Sequence, residues 1–92
     1  MVKAAPKPDL AIEIWSPHDL DSKKRQEEAL TRIRKYQAVG VPLVWAINPA
    51  NKTVEVFHPG QANPVQVLGA DEELTGEDII LGFKLAVREL FD

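Results

Sequence analysis

Two carboxylates stand near the start of the chain, in residues 8–17, which read PDLAIEIWSP. Asp9 and Glu13 are the pair, and the apolar residues around Glu13 predict a buried strand with Leu10, Ile12 and Ile14 on one side. An unpaired buried carboxylate is costly, so Glu13 requires a cationic side chain, a metal ion or a network of donors. Carboxylates are the ligands that suit magnesium or manganese in a protein without cysteine.

A distance check limits what Asp9 and Glu13 can do together. Each residue of an extended strand advances the chain by about 3.3 Å, so their Cα atoms are expected to lie about 13 Å apart. Magnesium holds its oxygen ligands at about 2.0–2.1 Å, so one ion cannot easily hold both side chains unless the strand bends sharply. Two hypotheses stay open: Glu13 pairs with an arginine or lysine of the following helix, or it shares a metal ion with a carboxylate from elsewhere.

The segment that follows is locally basic, although the net charge of the chain is -3. The chain has eleven basic residues, and six of them lie in this segment: Lys23, Lys24, Arg25, Arg32, Arg34 and Lys35. Such residues usually only solvate the polar face of an amphipathic helix. Arg32 is the exception, because it adjoins Ile33 at the edge of the apolar face and can reach back over the sheet. We therefore predict that Arg32 or a bound cation pairs with Glu13.

The elements that position these residues follow from the periodicity of the sequence. A strand is predicted over residues 9–15, Ser16 supplies a helix N-cap, and Gly40 caps the end of the helix. PLVWAINP predicts a central strand buried on both faces, and a turn then leads to an antiparallel partner, TVEVFH. A fourth strand, VQVLG, and a short closing helix, LAVRELF, complete the predicted order. Strand, crossover helix and strand form a parallel unit in this interpretation.

The remaining aromatic and histidine residues predict structure rather than chemistry. Trp15 and Trp45 lie inside apolar strands and are expected in the core. His18 is expected in an exposed loop, and His58 beside a turn at a strand end. The chain contains no glycine-rich phosphate loop, nucleophile elbow or HExxH motif.

Length and composition limit the class of protein. We expect a flexible leader over residues 1–7 and a single domain over residues 8–92. The absence of cysteine excludes disulfides and thiolate zinc sites. No apolar run approaches the roughly 20 residues that span a bilayer, and no secretory signal is evident, so a cytoplasmic location is expected.

The ordered motifs PDLAIEIWSP, YQAVGV, LVWAINPANKTVEVF and LTGEDIILGFKLAVRELF resemble the C-terminal half of the Uma-two family. This family is grouped with restriction endonucleases in the PD-(D/E)XK nuclease superfamily. The resemblance runs from about Pro8 to Phe91. It implies an α/β fold, with a small restriction-endonuclease-like mixed sheet, one crossover helix, a hairpin and a short C-terminal helix. It also implies hydrolysis of DNA phosphodiester bonds with magnesium or manganese.

The resemblance gives Glu13 the role of the metal-binding glutamate and places Asp9 in the family's Pro-Asp-Leu signature. The lysine that usually follows the glutamate by two residues is Trp15 here. Family members often carry a lysine four residues before the helix tyrosine, and this place holds Arg32. Arginine keeps the charge, but it cannot transfer a proton near neutral pH.

Two functional interpretations follow. By resemblance the chain is a metal-dependent DNA endonuclease, with Glu13, Asp9 and Arg32 as catalytic residues and Glu13 and Asp9 as metal ligands. The family's upstream half, with the strand that bears the first metal-binding aspartate, is expected to be absent, which leaves the active site incomplete. The alternative is a non-catalytic, dimeric interaction domain derived from the nuclease fold. Because a sheet without its upstream strands exposes an edge, we expect a homo-oligomer in either case.

Overall fold

A four-stranded mixed sheet forms the centre of the fold. The structure, a computed structural model, describes residues 8–16 and 22–91. The strands of the sheet, in spatial order, are β1 (Leu10–Ile14), β2 (Leu43–Asn48), β3 (Thr53–Phe57) and β4 (Gln66–Leu68). β1 and β2 are parallel, whereas β3 and β4 are added in antiparallel sense. The predicted α/β class, its mixed sheet and its hairpin are thereby confirmed.

The crossover between β1 and β2 contains the helix α1 (Lys23–Ala38). Its N-cap is Ser22, whose side-chain oxygen accepts a hydrogen bond from the backbone N–H of Arg25 at 3.2 Å. The prediction of Ser16 as the cap was wrong, because a capping hydroxyl must immediately precede the first turn whose free N–H groups it satisfies.

The C-terminal end of α1 confirms the predicted glycine cap. Gly40 has a φ of 85°, in the left-handed region that glycine adopts without a steric penalty. Its N–H donates to the carbonyl of Gln37 at 3.0 Å, and the N–H of Val41 donates to the carbonyl of Tyr36 at 3.1 Å. This pair of hydrogen bonds defines a Schellman motif, which turns the chain out of the helix and into β2.

Two apolar layers cover the two faces of the sheet. On the helix face, Ala11, Val44, Ala46 and Phe57 pack with Ile33 of α1. On the opposite face, which we call the hairpin face, Trp45 and its neighbours on β2 and β3 pack with Leu74 and Val87. All six residues of β2 are buried, as predicted for a central strand. Trp45 is 4% exposed, which confirms its predicted place in the core.

The turn between β2 and β3 is organised by Asn48. Its side-chain oxygen accepts hydrogen bonds from the N–H groups of Ala50 at 3.0 Å and Asn51 at 3.3 Å. Asparagine favours turns for this reason, since its side chain satisfies the backbone that leaves the strand. Lys52 then adopts a φ of 56° before β3 begins.

The C-terminal region differs from the prediction. Strands β5 (Glu73–Thr75) and β6 (Lys84–Ala86) form a separate two-stranded sheet that the sequence did not predict. The predicted closing helix is reduced to a 3-10 helix, Val87–Leu90. Leu85 and Ala86 cannot join a helix because they pair with Leu74 and Glu73.

The exposure of β1 also differs from the prediction. Ile12 is 48% exposed and Ile14 is 64% exposed, although the sequence predicted a buried strand. Both side chains lie on the hairpin face, in register with Trp45 and Ile47 of β2. β1 lies at an edge of the sheet, and within the described residues the hairpin layer does not extend far enough to cover it.

None of the helices in the described part of the chain has the length and apolar character needed to cross a bilayer.

Candidate functional site

Glu13 and Arg32 form an ion pair on the helix face. β1 directs Glu13 toward α1, and Arg32 on that helix donates a hydrogen bond from Nε to Oε1 of Glu13. The carboxylate side chain is only 12% exposed, whereas the arginine side chain is 41% exposed. This contact confirms the predicted partner of Glu13. It also accounts for a carboxylate in an apolar strand, because the buried group keeps a charged donor.

Asp9 is not part of this pair. It lies in the exposed bend just before β1, four residues before Glu13. β1 itself begins only at Leu10, so Asp9 lies outside the strand that carries Glu13. Among the residues that the structure describes, no group of three or more acidic, histidine or cysteine side chains is arranged to hold a metal ion.

Glu55 is a second half-buried carboxylate on the helix face. It lies in the same row of the sheet as Glu13, with Ala46 between them. Two strand spacings separate the Cα atoms of the two glutamates by about 9.6 Å. Glu55 was not predicted as a site residue, although TVEVF repeats the pattern of a glutamate between β-branched residues that marked Glu13.

Two arginines of α1 contact different strands of the sheet. Arg32 reaches Glu13 on β1, whereas Arg34 lies over the ring of Phe57 on β3, with its guanidinium carbon 5.9 Å from the ring centroid. Residues two positions apart in a helix point in directions about 200° apart, so the two arginines lie on opposite flanks of α1. Arg32 is thus the arginine on the β1 flank of α1, and Arg34 is the arginine on the β3 flank.

Burial raises the pKa of Glu55 above the ordinary value for a glutamate. The fold therefore favours the protonated carboxyl group over the charged carboxylate. The stability that the protonated group contributes is fully present below the unfolded pKa of about 4.3, and it is lost as pH rises through the folded pKa. We expect Glu55→Gln to raise the urea midpoint of unfolding at pH 7, with the gain disappearing near pH 3.5. Glu73→Gln, at an exposed position on β5, is the control and is expected to leave the midpoint unchanged. A lower midpoint for Glu55→Gln at pH 7 would contradict the expectation.

Arg34 and Gln37 have a structural role that the sequence analysis missed. Arg34 donates to the side-chain oxygen of Gln37 at 2.9 Å and to the carbonyl of Ala62. Gln37 donates to the carbonyls of His58 and Gln61, both at 2.9 Å. These bonds attach the loop between β3 and β4 to α1. The basic character of Arg34 is thus used to hold the fold together rather than only to solvate the helix.

His58 follows β3 beside a turn, as predicted, and makes a contact that was not predicted. Its Nε2 lies 2.8 Å from Oε1 of Glu77, in the loop between β5 and β6. Glu77 has a φ of 54°, which is uncommon for a residue with a side chain. No local sequence signal joins two residues so far apart. The predicted exposed loop position of His18 lies outside the described residues.

Trp15 occupies the helix face two residues beyond Glu13. Its side chain packs against Ile33 and its neighbours, and its indole N–H is buried without a hydrogen-bond partner among the described residues. An indole carries no charge, so Trp15 cannot supply the positive charge or the titratable amine of a lysine. Arg32 is therefore the cation that this part of the chain places beside Glu13.

Most of the chain matches the model of a known family. The model of the Uma2 family, described as "Putative restriction endonuclease", matches residues 3–88. The chain therefore belongs to the Uma2 family, which is the Uma-two family named in the sequence analysis. No curated protein gives a significant match.

A solved structure supports the same fold. It is described as "a putative nuclease belonging to DUF820" from Anabaena variabilis ATCC 29413, and it matches with a TM-score of 0.68 and 27% sequence identity. The match covers 91% of the present chain but only 44% of the Anabaena chain. The present chain is thus similar to less than half of that protein, and its sheet has a nuclease-like fold.

Proposed function

We propose that this chain carries the glutamate and arginine of a metal-dependent DNA endonuclease site. The observation that supports the proposal is the ion pair of Glu13 and Arg32 on the helix face of a parallel strand, in a member of the Uma2 family. A carboxylate at this position is a ligand for magnesium or manganese, and a fixed cation beside it can stabilise charge on a phosphate. DNA is the substrate class that a nuclease fold implies.

The described residues do not fit a magnesium ion by themselves. Glu13 is held by Arg32, and Asp9 lies in the bend that precedes β1, four residues before Glu13. Hard divalent cations take several oxygen ligands, and one carboxylate leaves most of these positions to water. We therefore assign Glu13 as one ligand and expect other ligands to come from outside the described residues. The assignment of Asp9 as a catalytic residue and metal ligand, which the family resemblance implied, stays a prediction.

Arg32 is assigned a stabilising rather than a proton-transferring role. A guanidinium stays protonated at neutral pH, so it cannot remove a proton from an attacking water molecule. It can orient Glu13 and attract a phosphate, because its side chain is 41% exposed and presents donors in a planar fork. Replacing Arg32 by lysine keeps the charge but loses the planar fork, so the two roles can be separated experimentally.

Manganese binding tests the assignment of Glu13. We expect substoichiometric Mn²⁺ to broaden the indole N–H resonance of Trp15 more strongly than that of Trp45, in NMR spectra of the full chain. Trp15 lies on the same face as Glu13, and Trp45 lies on the opposite face of the sheet. Paramagnetic broadening falls steeply with distance, so Trp45 is an internal control.

The matched variant for this measurement is Glu13→Gln, which keeps the shape of the side chain but removes its charge. It is expected to abolish the selective broadening of Trp15, and excess Mg²⁺ is expected to reverse it in the parent chain. Equal broadening in Glu13→Gln and the parent would remove Glu13 as a metal ligand. Circular dichroism of both proteins would show that the fold is unchanged.

A second candidate function is a non-catalytic interaction domain. The observation that favours it is the exposure of Ile12 and Ile14, two large apolar side chains that lie side by side on an edge strand. Exposed apolar surface on a sheet edge is typical of sites where another chain binds. This function requires neither a metal ion nor a complete active site.

A further inference from the structure

The outer edge of β1 presents backbone groups that can pair with another strand. The N–H of Trp15 donates to the carbonyl of Ile47 on β2 at 2.9 Å. Because successive residues of a strand point their backbone groups in opposite directions, the odd-numbered residues of β1 bond to β2. Leu10, Ile12 and Ile14 therefore direct their N–H and C=O groups away from the sheet. Within the described residues, β1 has no partner on this side.

The same three residues place their side chains on the hairpin face. Ile12 and Ile14 are largely exposed there, and Leu10 packs at the margin of the core. Beyond Ile14 the surface continues into an apolar groove of about 440 Å³, which Leu90 and Phe91 also line. An added strand would thus gain hydrogen bonds along the edge and apolar contacts on one face.

We propose that a second copy of this chain pairs with β1 in antiparallel sense, with a two-fold axis at Ile12. The sequence of β1, LAIEI, supports this occupant because its pattern is nearly symmetric about Ile12. The axis pairs Ile12 with Ile12 of the partner and Leu10 with Ile14 of the partner. Three apolar side chains from each copy then form one continuous layer. The inference deepens the interaction-domain function proposed above and does not depend on DNA cleavage.

Charge selects this register among its neighbours. Shifting the axis to Ala11 would place Asp9 directly opposite Glu13 of the partner, and shifting it to Glu13 would oppose two copies of that carboxylate. Like charges directly opposite each other destabilise an antiparallel pair. With the axis at Ile12, Glu13 faces Ala11 of the partner and keeps its bond to Arg32. A two-fold axis perpendicular to the sheet relates the two edge strands in antiparallel sense and closes the assembly as a dimer.

Cysteine cross-linking tests the register, because the natural chain has no cysteine. Ile12→Cys is expected to form a disulfide-linked dimer under mild oxidation, since residues of a hydrogen-bonded antiparallel pair have Cα atoms about 5.5 Å apart. A mixture of Leu10→Cys and Ile14→Cys is expected to yield the mixed disulfide. Val39→Cys, which replaces a residue 62% exposed at the end of α1, is the control and is expected to remain monomeric on non-reducing gels.

Sedimentation equilibrium tests the dimer itself. The parent chain is expected to dimerise at micromolar concentration. Ile12→Lys is expected to raise the dimer Kd about 100-fold, because each dimer loses two buried isoleucines. Val39→Lys is the matched control and should leave the Kd unchanged, with circular dichroism confirming that both variants are folded.

The two measurements separate the possible failures. The register would be overturned if Leu10→Cys cross-linked with Ile12→Cys, or Ile12→Cys with Ile14→Cys, in preference to the expected pairs. The interaction-domain function would still stand in that case. A dimer that Ile12→Lys does not weaken would show that another surface is used. A parent chain that stays monomeric across micromolar concentrations would overturn both the inference and that function. The assignment of Glu13 as a metal ligand is tested separately, by the manganese-induced broadening of the Trp15 resonance.

Discussion

Replacement of Gly76 by alanine is expected to destabilise the fold by about 3 kcal/mol, at the upper end of the usual cost of overpacking. A Cβ atom at this position would lie 2.3 Å from the carbonyl oxygen of Ile80 and 2.6 Å from its Cβ atom. The obstructing atoms belong largely to the backbone, so no side-chain rotation can relieve the contact. The loop cannot easily shift either, because the carbonyl of Gly76 accepts hydrogen bonds from the N–H groups of Ile79 and Ile80.

The consequence of this substitution extends into the main core. The N–H of Gly76 donates to the carbonyl of Phe83 at 3.2 Å. Phe83 in turn packs on Trp45, with ring centroids 5.6 Å apart. Displacing the loop would therefore disturb the layer that covers the hairpin face. In a domain of this size, a loss of about 3 kcal/mol is a large part of the total stability.

Gly60→Ala is the matched control for this prediction. Gly60 has a φ of +79°, and a Cβ atom there would meet nothing within 4 Å. The control therefore carries only the cost of a left-handed backbone for a residue with a side chain, about 1–2 kcal/mol. Urea denaturation of the parent and both variants gives the comparison. Gly76 has no positive φ, so its whole loss measures the crowding, and a loss no larger than that of Gly60→Ala would contradict the expected cost.

The N-terminal part of the fold was predictable because its signals are long and local. The apolar spacing of α1, the glycine at its end and the apolar run of β2 each specify one element without knowledge of the rest. β5 and β6 were missed for the opposite reason. Each contains three residues, and their pairing is fixed by the packing of Leu74 and Val87 against the main sheet rather than by a periodic pattern.

The contacts of the candidate site were likewise predictable only where a local signal specifies them. The partner of Glu13 was predictable, because a carboxylate in an apolar strand restricts its surroundings to a few solutions and Arg32 lies at the edge of the apolar helix face. The contact of His58 with Glu77 was not predictable, since it depends on how the β5 and β6 sheet folds back. The exposure of Ile12 and Ile14 was also missed, because an apolar strand pattern does not say whether a second layer covers it.

A single sequence likewise does not show which residues of different strands lie in the same row of the sheet. Glu13 and Glu55 occupy one row only because of the registers of two strand pairs. A metal site cannot therefore be inferred from the number of carboxylates on one face. It requires that the side chains reach the same point.

The purified 92-residue chain is expected not to cleave duplex DNA measurably with either magnesium or manganese. A two-carboxylate site holds the metal ion where it polarises the phosphate and activates water, and the described residues bring only Glu13 to this place. The cost is severe because rate depends on geometry, and a misplacement of 1 Å alone can cost about 100-fold. The basic residues of α1 can still hold phosphate, with an affinity that falls as salt rises.

Plasmid nicking decides the matter, with supercoiled DNA incubated beside the parent chain, Glu13→Ala and a metal-free sample. Dimerisation at β1 offers one route by which the expectation could fail, because a two-fold axis at Ile12 makes Glu13 of each copy a diagonal neighbour of Glu13 in the other. Such neighbours have Cα atoms about 7–8 Å apart, a separation that two glutamate side chains can bridge through one ion. The shared site would be identified by nicking that requires manganese and that both Glu13→Ala and Ile12→Lys abolish. Nicking lost in Glu13→Ala but retained in Ile12→Lys would instead place a competent site within one copy.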